Sequence, residues 1–249
     1  MGTVAAVQVR TASSADDSNA DVAVVQEAFS SVESLLNAHD PDSELSRLAP
    51  LSEEEALARC SAESRACYAA AFALMEASGG AFNPRWRGPG TLDFGAIAKG
   101  YAVDLAADGL AGGVRPDMLV DLGGNVKAVR GAWRTGVKDP NGDGVAAVVE
   151  LREGEALATS ATYYRGSHIY DGRTGAPVTN GVASVTVLCG SAMWADGFST
   201  TLFVLGPEEG RTFLGEKAGG LAGGQKVAAL WILGDGRRVS FDPDGRFGE

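Results

Sequence analysis

The sequence is poor in histidine, in cysteine and in residues of positive charge. Only His39 and His168 occur among 249 residues, which excludes metal sites built from several histidines. The three cysteines are odd in number. The spacing of Cys60 and Cys67 fits neither a CxxC motif nor a zinc site, so we expect buried free thiols. The motifs GxSxG, HExxH and GxxxxGK[ST] are all absent, and no GxGxxG follows a predicted strand.

Long hydrophobic runs are missing as well. No apolar stretch reaches the roughly 18 residues that a membrane-spanning helix needs. The formal net charge is −11 without a basic stripe, which argues against nucleic acid and anionic membrane surfaces as partners. The first ten residues lack a basic segment followed by an apolar one. We therefore expect a cytoplasmic protein if the chain is native in length, and an extracytoplasmic one if an export segment has been removed.

The chain has the composition of a globular protein, with 45% hydrophobic and 21% charged residues. Its length, without a linker or an internal repeat, predicts a single domain over residues 1–249. Strands in blocks, rather than strict βαβ repeats, predict an α+β fold in which helices pack on a mixed or antiparallel sheet. Hydrophobic periodicity predicts helices over 20–38, 62–78, 95–110 and 195–206, and strands over 2–10, within 117–164, over 183–189 and in a C-terminal hairpin.

Residues 139–150, DPNGDGVAAVVE, match the spacing of an EF-hand calcium loop. That loop requires a helix on each side, whereas the flanking segments alternate like strands. Ala147 also offers no side-chain ligand at the ninth position. A hairpin turn is therefore the better interpretation.

Chemistry enters with the segment MWADGFSTTLFVLG, residues 193–206. In a helix, Asp196 and Thr200 lie one turn apart on the same face, and their oxygens are the hard donors that Mg²⁺ or Ca²⁺ prefers. Taken alone, the pair is better explained by Asp196 capping the helix and Thr200 bonding back to a backbone carbonyl.

Three further segments favour a functional interpretation. The glycine-rich GSHIYDGRTGAP (166–177) carries a His, an Asp and an Arg, and DFGAIAKGYAVD (93–104) places Lys99 at a helix start suited to an anion. The adjacent glycines of DLGGN (121–125) permit close approach of the backbone to another group. Together these features suit phosphoryl chemistry on a nucleotide.

At this point the sequence resembles the FAD:protein FMN transferases, the ApbE-type flavin transferases. The matching pieces follow the order of that family over about 200 residues, which makes the resemblance highly specific. They are MGT (1–3), DSELSRL (42–48), GGAFNP (79–84), DFGAIAKGYAVD (93–104), DLGGN (121–125), GVKDP (136–140), ATSATYYR (158–165), HIYDGRTGAP (168–177), SVTVL (184–188) and ADGFSTTLFVLG (195–206).

The resemblance implies a single ApbE-like, T-fold-related domain that binds FAD in a cleft. With Mg²⁺, such an enzyme transfers FMN from FAD to a Thr or Ser hydroxyl of an acceptor protein, and AMP leaves. It also implies that Asp196, Thr200 and a backbone carbonyl of residues 95–97, taken as that of Ala96, bind the metal. His168 is the implied general base. The candidate FAD-binding residues are Lys99, Gly123, Gly124, Thr159, Ser160 and Asp171.

Several structural alternatives stay open for these residues. Lys99 would then be a solvated helix lysine and His168 a structural histidine. Asp171 would pair with Arg173 to hold its loop. Thr159 and Ser160, which fit a phosphate contact, fit a turn equally well.

Two other activities also remain open at this stage, namely a Mg²⁺-dependent FAD pyrophosphatase giving FMN and AMP, and a non-enzymatic FAD-binding protein. The sequence also departs from the family pattern at several positions, two of which concern the loop of residues 168–177 and the GGAFNP segment. Gly172 stands where the family usually has Pro, and Asn83 where it usually has Asp.

Overall fold

An antiparallel sheet carries helices on one face and a β-hairpin on the other. The computed structural model describes residues 3–10, 15–112, 115–162 and 169–248. Within these residues the strands run in the order β1-β2-β3-β6-β7-β8-β9 across the main sheet, and β4 pairs with β5 separately. The strands are β1 (Ala5–Arg10), β2 (Asp117–Leu122), β3 (Asn125–Arg130), β4 (Trp133–Lys138), β5 (Val145–Leu151), β6 (Ala156–Ala161), β7 (Val182–Cys189), β8 (Ala228–Leu233) and β9 (Arg238–Phe241).

The helices are α1 (Ala15–Leu36), α2 (Glu44–Leu48), α3 (Glu53–Arg59), α4 (Arg65–Ala77), α5 (Ala98–Leu110), α6 (Ala192–Phe213) and α7 (Gly219–Leu221). A π-helical segment, Leu214–Ala218, joins α6 to α7. Helix α6 is kinked at Gly206, whose φ is 71°. Pro207 contributes to the kink because proline has no amide hydrogen to donate to the preceding turn. None of the described helices combines the length and hydropathy required to cross a bilayer.

Alternation along the strands divides the core between the two faces of the sheet. On β6, Ala156 and Ala158 belong to the helix-side core, whereas Leu157 packs into the core beneath the β4–β5 hairpin. Because successive side chains of a strand point to opposite faces, this pattern continues to Thr159 on the hairpin side and Ser160 on the helix side. The pleat thus decides which hydroxyl of this strand faces α6.

The predicted architecture is confirmed, including an antiparallel sheet with helices packed on it. The segment 139–150 is a β-hairpin turn followed by β5, so its hairpin interpretation is also confirmed. All three cysteines are buried and free, and burial raises the pKa of each thiol. Helix α3 was not predicted, although its capping box between Ser52 and Glu55 is a signal that the sequence carries.

Candidate functional site

The candidate site lies where the N-terminal ends of α5 and α6 touch. Gly100 on α5 faces the first turn of α6, and an added Cβ there would stand 2.5 Å from the carbonyl carbon of Ala192 and 2.8 Å from Cβ of Asp196. Neither distance is possible for a real side chain, so glycine is required at this contact. The absence of a side chain at Gly100 therefore sets how close the two helices come.

Each of these helices supplies a carboxylate that caps the other. The N-cap residue of α5 is Ile97, which makes no side-chain cap; instead the amide of Gly100 donates to Oδ2 of Asp196 at 3.0 Å. In return, the Asp104 carboxylate of α5 accepts hydrogen bonds from the amides of Ala192 and Met193, both at 2.9 Å. A carboxylate at a helix N-terminus satisfies free amides and is stabilised by the helix dipole. This reciprocal capping fixes the position of Asp196 relative to α5.

The Asp104 carboxylate is also tied to the sheet. Lys127 of β3 donates to its Oδ1 at 2.7 Å, and Ser191 donates to its Oδ2 at 2.7 Å. Lys127 donates in addition to the carbonyl of Gly190 at 3.1 Å. Because the Lys127 and Asp104 side chains are only 13% and 17% exposed, this charge pair is poorly screened and each partner depends on the other.

The structure excludes the explanation of Asp196 and Thr200 as a local cap and a back-bonded hydroxyl. The N-cap of α6 is Ser191, and Asp196 lies in the second turn with only 5% of its surface exposed. The Thr200 hydroxyl contacts Ser160 Oγ of β6 at 3.0 Å, and Ser160 Oγ also contacts Ser199 Oγ at 2.7 Å. The polar face of α6 therefore meets a hydroxyl from the sheet.

Lys99 points into this site and is not a solvated helix lysine. Its ammonium donates to the carbonyl of Gly95 at 2.6 Å and lies 3.6 Å from Oδ2 of Asp196. The Lys99 side chain is 27% exposed and the Asp196 side chain 7%. The backbone oxygen at this position is that of Gly95, one residue before the Ala96 carbonyl selected from the sequence; Ala96 is half-buried and packs against the core.

The oxygens at this position fit a divalent cation. Among the described residues, Oδ1 of Asp196 accepts no hydrogen bond. The Thr200 hydroxyl, one turn further along the same face of α6, and the Gly95 carbonyl, which binds the Lys99 ammonium near Asp196, are neutral oxygens of the same region. No cluster of three or more His, Cys, Asp or Glu side chains occurs within the described residues. One carboxylate with neutral oxygens suits Mg²⁺, which commonly takes one or two protein carboxylates and completes its shell with substrate phosphates and water.

The structure brings Ser160 to the site but not Thr159. Thr159 Oγ1 bonds Thr186 Oγ1 of β7 at 2.8 Å, on the opposite face of the sheet. Gly123 and Gly124 form the β2–β3 turn with φ values of 62° and 89°. Because the pairing of β3 with β6 ends at Asn125 and Ala158, this turn and Thr159–Ser160 both follow directly after the last paired residues.

The Gly123–Gly124 turn is held by a carboxylate. Asp121 Oδ1 accepts the amide of Gly124 at 2.9 Å. Burial raises the pKa of Asp121, and the bond from Gly124 opposes that rise. The N-terminal segment packs against the turn, because Thr3 occupies the space that a Cβ on Gly123 would need.

Asp171 is engaged within its own loop. Its carboxylate accepts hydrogen bonds from Nε and Nη2 of Arg173 at 2.9 and 2.8 Å. The hydrogen bond from Arg173 lowers the pKa of Asp171. The pairing that remained open from the sequence is therefore present. The candidate base His168 lies outside the described residues.

Two of the departures from the family pattern, Asn83 and Gly172, touch each other. Asn83 Nδ2 donates to the carbonyl of Gly172 at 2.9 Å, and the amide of Gly172 donates to the carbonyl of Ala81 at 3.2 Å. A Cβ on Gly172 would lie 2.9 Å from the backbone nitrogen of Asn83. The two segments are thus joined by an amide donor and a small residue that Asp and Pro could not provide.

Sequence reasoning missed the roles of three residues of this region. Gly100 and Asp104, one turn apart on α5, carry a signal in hindsight, because a glycine inside a helix often marks a close contact. Asn125, at the start of β3, is 3% exposed, and its Oδ1 has no hydrogen-bond partner among the described residues. A buried polar side chain of this kind cannot be recognised without the fold.

Comparison with known proteins identifies the family. A family model described as the ApbE family matches residues 1–88 and 85–223. The chain belongs to the ApbE family. Similar curated ApbE relatives include a protein named FAD:protein FMN transferase from Rhodobacter capsulatus, 44% identical over 131 residues, which are 47% of this chain and 25% of that protein. Another, with the same name and from Klebsiella pneumoniae, is 38% identical over 168 residues, covering 61% of this chain and 51% of that protein.

The matches therefore span about half or less of the length of these curated ApbE relatives. Solved structures match over nearly the whole chain. The apo form of the flavinyl transferase ApbE from Pseudomonas stutzeri has a TM-score of 0.77 and 27% identity, covering 100% of this chain and 94% of that one. The flavin transferase ApbE from Vibrio cholerae, at 24% identity, a TM-score of 0.78 and coverage of 97% and 94%, supports the fold alone.

Proposed function

We propose that this protein is a Mg²⁺-dependent FAD:protein FMN transferase. It moves FMN from FAD onto a Thr or Ser hydroxyl of an acceptor flavoprotein and releases AMP. The observation that carries the proposal is that Asp196 and Thr200 share one face of α6, Ser160 contacts Thr200, and the Lys99 ammonium contacts both Asp196 and the Gly95 carbonyl, in a chain of the ApbE family. Relatives bearing that activity in their names support it.

The proposed reaction exchanges one phosphoester bond for another. The acceptor hydroxyl attacks the phosphorus of the FMN half, and His168 takes its proton as a neutral imidazole near pH 7. The bond from that phosphorus to the bridging oxygen breaks, the oxygen leaves with AMP, and His168 returns the proton to the leaving phosphate. A bound Mg²⁺ would neutralise charge on the diphosphate oxygens.

The side chains around the site have separate roles in this proposal. Asp196, Thr200 and a backbone carbonyl at Gly95–Ala96 hold the metal, and Lys99 provides the positive charge nearest to the diphosphate. Ser160 holds Thr200 by a hydroxyl contact. The adjacent Gly123–Gly124 turn supplies backbone amides at a place where no side chain obstructs a ligand.

One incubation tests the activity. The protein is mixed with FAD, Mg²⁺ and an acceptor domain that carries a Thr flavinylation site, and the acceptor mass is measured. A mass gain equal to one FMN, with AMP in solution, is expected. Free FMN without acceptor modification would instead identify a pyrophosphatase, and unchanged FAD that stays bound would identify a non-enzymatic binder.

Variants test the residue roles in the same assay. Asp196→Asn is expected to abolish Mg²⁺-dependent transfer, whereas Glu208→Gln, at an exposed position on the distal part of α6, serves as the matched control. His168→Ala is expected to slow transfer by about 10²-fold or more while FAD still binds. Full activity in Asp196→Asn would refute the metal assignment, and full activity in His168→Ala would refute the base assignment.

A further inference from the structure

The buried Asp196 carboxylate needs a positive partner at all times, so another cation must neutralise it when no metal is bound. Its side chain is 7% exposed, and a buried carboxylate without a compensating charge is strongly unfavourable. One amide, that of Gly100, donates to its Oδ2 at 3.0 Å. This bond and the α5 dipole offset part of the charge but contribute no formal positive charge.

Lys99 supplies that charge from the same turn of α5 that binds the carboxylate. Its ammonium donates to the Gly95 carbonyl at 2.6 Å and lies 3.6 Å from Oδ2 of Asp196. A carboxylate and a backbone carbonyl that contact one cation are also part of the donor set to which the metal is assigned. The ammonium therefore occupies a cation position rather than merely lying near one.

We propose that Lys99 is the resident cation of this site, and that its ammonium must leave the Asp196 carboxylate before a divalent cation can bind there. The inference rests on the metal assignment made under the proposed function. A divalent cation coordinated at about 2.1 Å would share one carboxylate with an ammonium that lies 3.6 Å from it. The two cations repel beside a buried carboxylate, where solvent screens their charges less than on an open surface.

The displaced ammonium has a destination when the dinucleotide is present. The Lys99 stem is flexible and its side chain is 27% exposed, so the head can turn outward toward the diphosphate. Without that anion, the metal must displace Lys99 into water; with it, Lys99 exchanges one anion for another. Lys99 thereby couples metal binding to dinucleotide binding, and the coupling is reciprocal by thermodynamic linkage.

The variant Lys99→Met removes the resident charge and keeps a long apolar stem. Lys217→Met is the matched control, because Lys217 is an exposed helical lysine in the Leu214–Ala218 segment. Binding of Mn²⁺ to each full-length protein is titrated without FAD, with free Mn²⁺ measured by electron paramagnetic resonance. Lys99→Met is expected to bind Mn²⁺ about tenfold more tightly than the wild type, whereas Lys217→Met changes the affinity by no more than about twofold.

A second measurement, the melting temperature in EDTA, tests the role of Lys99 in the metal-free protein. In EDTA, Lys99→Met is expected to melt about 5 °C or more below the wild type, because Asp196 loses its partner. Saturating Mn²⁺ is expected to remove that difference. With FAD added and no acceptor, the gain in Mn²⁺ affinity is expected to be larger in the wild type than in Lys99→Met.

The outcomes separate this inference from the proposed function. Mn²⁺ affinity in Lys99→Met that is equal to or weaker than in the wild type overturns the exchange, even if flavin transfer occurs. Tighter binding that Asp196→Asn abolishes supports the exchange, even if the acceptor gains no FMN. Absence of Mn²⁺ binding in the wild type and in Lys99→Met overturns the exchange together with the metal assignment.

Discussion

The contact between α5 and α6 at Gly100 makes a quantitative prediction for Gly100→Ala. The new Cβ would lie 2.5 Å from the carbonyl carbon of Ala192 and 2.8 Å from Cβ of Asp196. Neither atom is the end of a flexible side chain, so the helices themselves must separate. Overpacking costs about 1–3 kcal/mol, and separation also weakens the amide bond to the Asp196 carboxylate, a class of bond that contributes about 1.5–3 kcal/mol.

We therefore expect Gly100→Ala to lower the free energy of unfolding by about 3 kcal/mol or more. For a chain of this size that loss corresponds to a fall in Tm of about 6–12 °C. The proposed flavin transfer is expected to fall as well, because the Asp196 carboxylate moves away from α5. Thermal unfolding followed by circular dichroism measures the first effect, and the mass of the acceptor measures the second.

Gly215→Ala is the matched control for this change. Gly215 is also helical, but nothing lies within 4 Å of the Cβ that alanine would add. The same substitution is therefore expected to stabilise the protein by about 0.4–1 kcal/mol through the unfolded chain. A Tm for Gly100→Ala within about 2 °C of the wild type would refute the argument that this contact sets the site.

The remaining predictions concern charge and hydrogen bonding. Asp104→Asn is expected to lower Tm because Lys127, only 13% exposed, loses its ionic partner. It is also expected to weaken Mn²⁺ binding, because Asp104 caps the helix that carries Asp196. Adding Lys127→Met is expected to restore part of the stability, and no recovery would contradict the argument from the charge pair. Burial raises the pKa of Glu155, but the two-point bond from Arg246, at 2.7 Å on each oxygen, leaves that pKa lowered. The stability that this pair contributes is thus present above the pKa of Glu155 in the unfolded chain and is lost as pH falls through its pKa in the folded protein. The free energy of unfolding in urea, measured from pH 6 to pH 3, should therefore fall less steeply for Arg246→Gln than for the wild type. The same pH dependence in both proteins would refute the linkage. Asn83→Asp sets a carboxylate against the loop carbonyl that Asn83 now binds and is expected to cost about 1–3 kcal/mol at neutral pH by urea unfolding, whereas an unchanged midpoint would show that this bond contributes nothing.

Most of the elements were predictable because their signals are local. The helical spacing of α4 and α5 and the alternation in the strands reflect which residues face a core, and this periodicity is present in the sequence. The boundaries were less accurate. Helix α6 continues past Gly206 to Phe213 although glycine and proline there indicate an end, because the kink allows a second helical stretch to continue packing.

The candidate site was predictable in its residue types but not in its pairings. Asp196 and Thr200 share one helix face, as their spacing requires. That Asp196 caps α5, while Asp104 caps α6, depends on how two helices separated by about ninety residues approach each other. Pattern reasoning offered a cap within one helix, because only a local partner is visible in a sequence.

The sequence by itself determined the α+β composition, the family and the carboxylate–hydroxyl pair of α6, since each follows from residue types at fixed short spacings. The tertiary structure alone decided that Ser160 rather than Thr159 faces that pair, that the Lys99 ammonium contacts both the Gly95 carbonyl and the Asp196 carboxylate, and that Gly100 brings the two helix ends into contact. The physical reason is that these are contacts between distant segments. Their geometry follows from strand pleat, helix packing and the space left by a missing side chain.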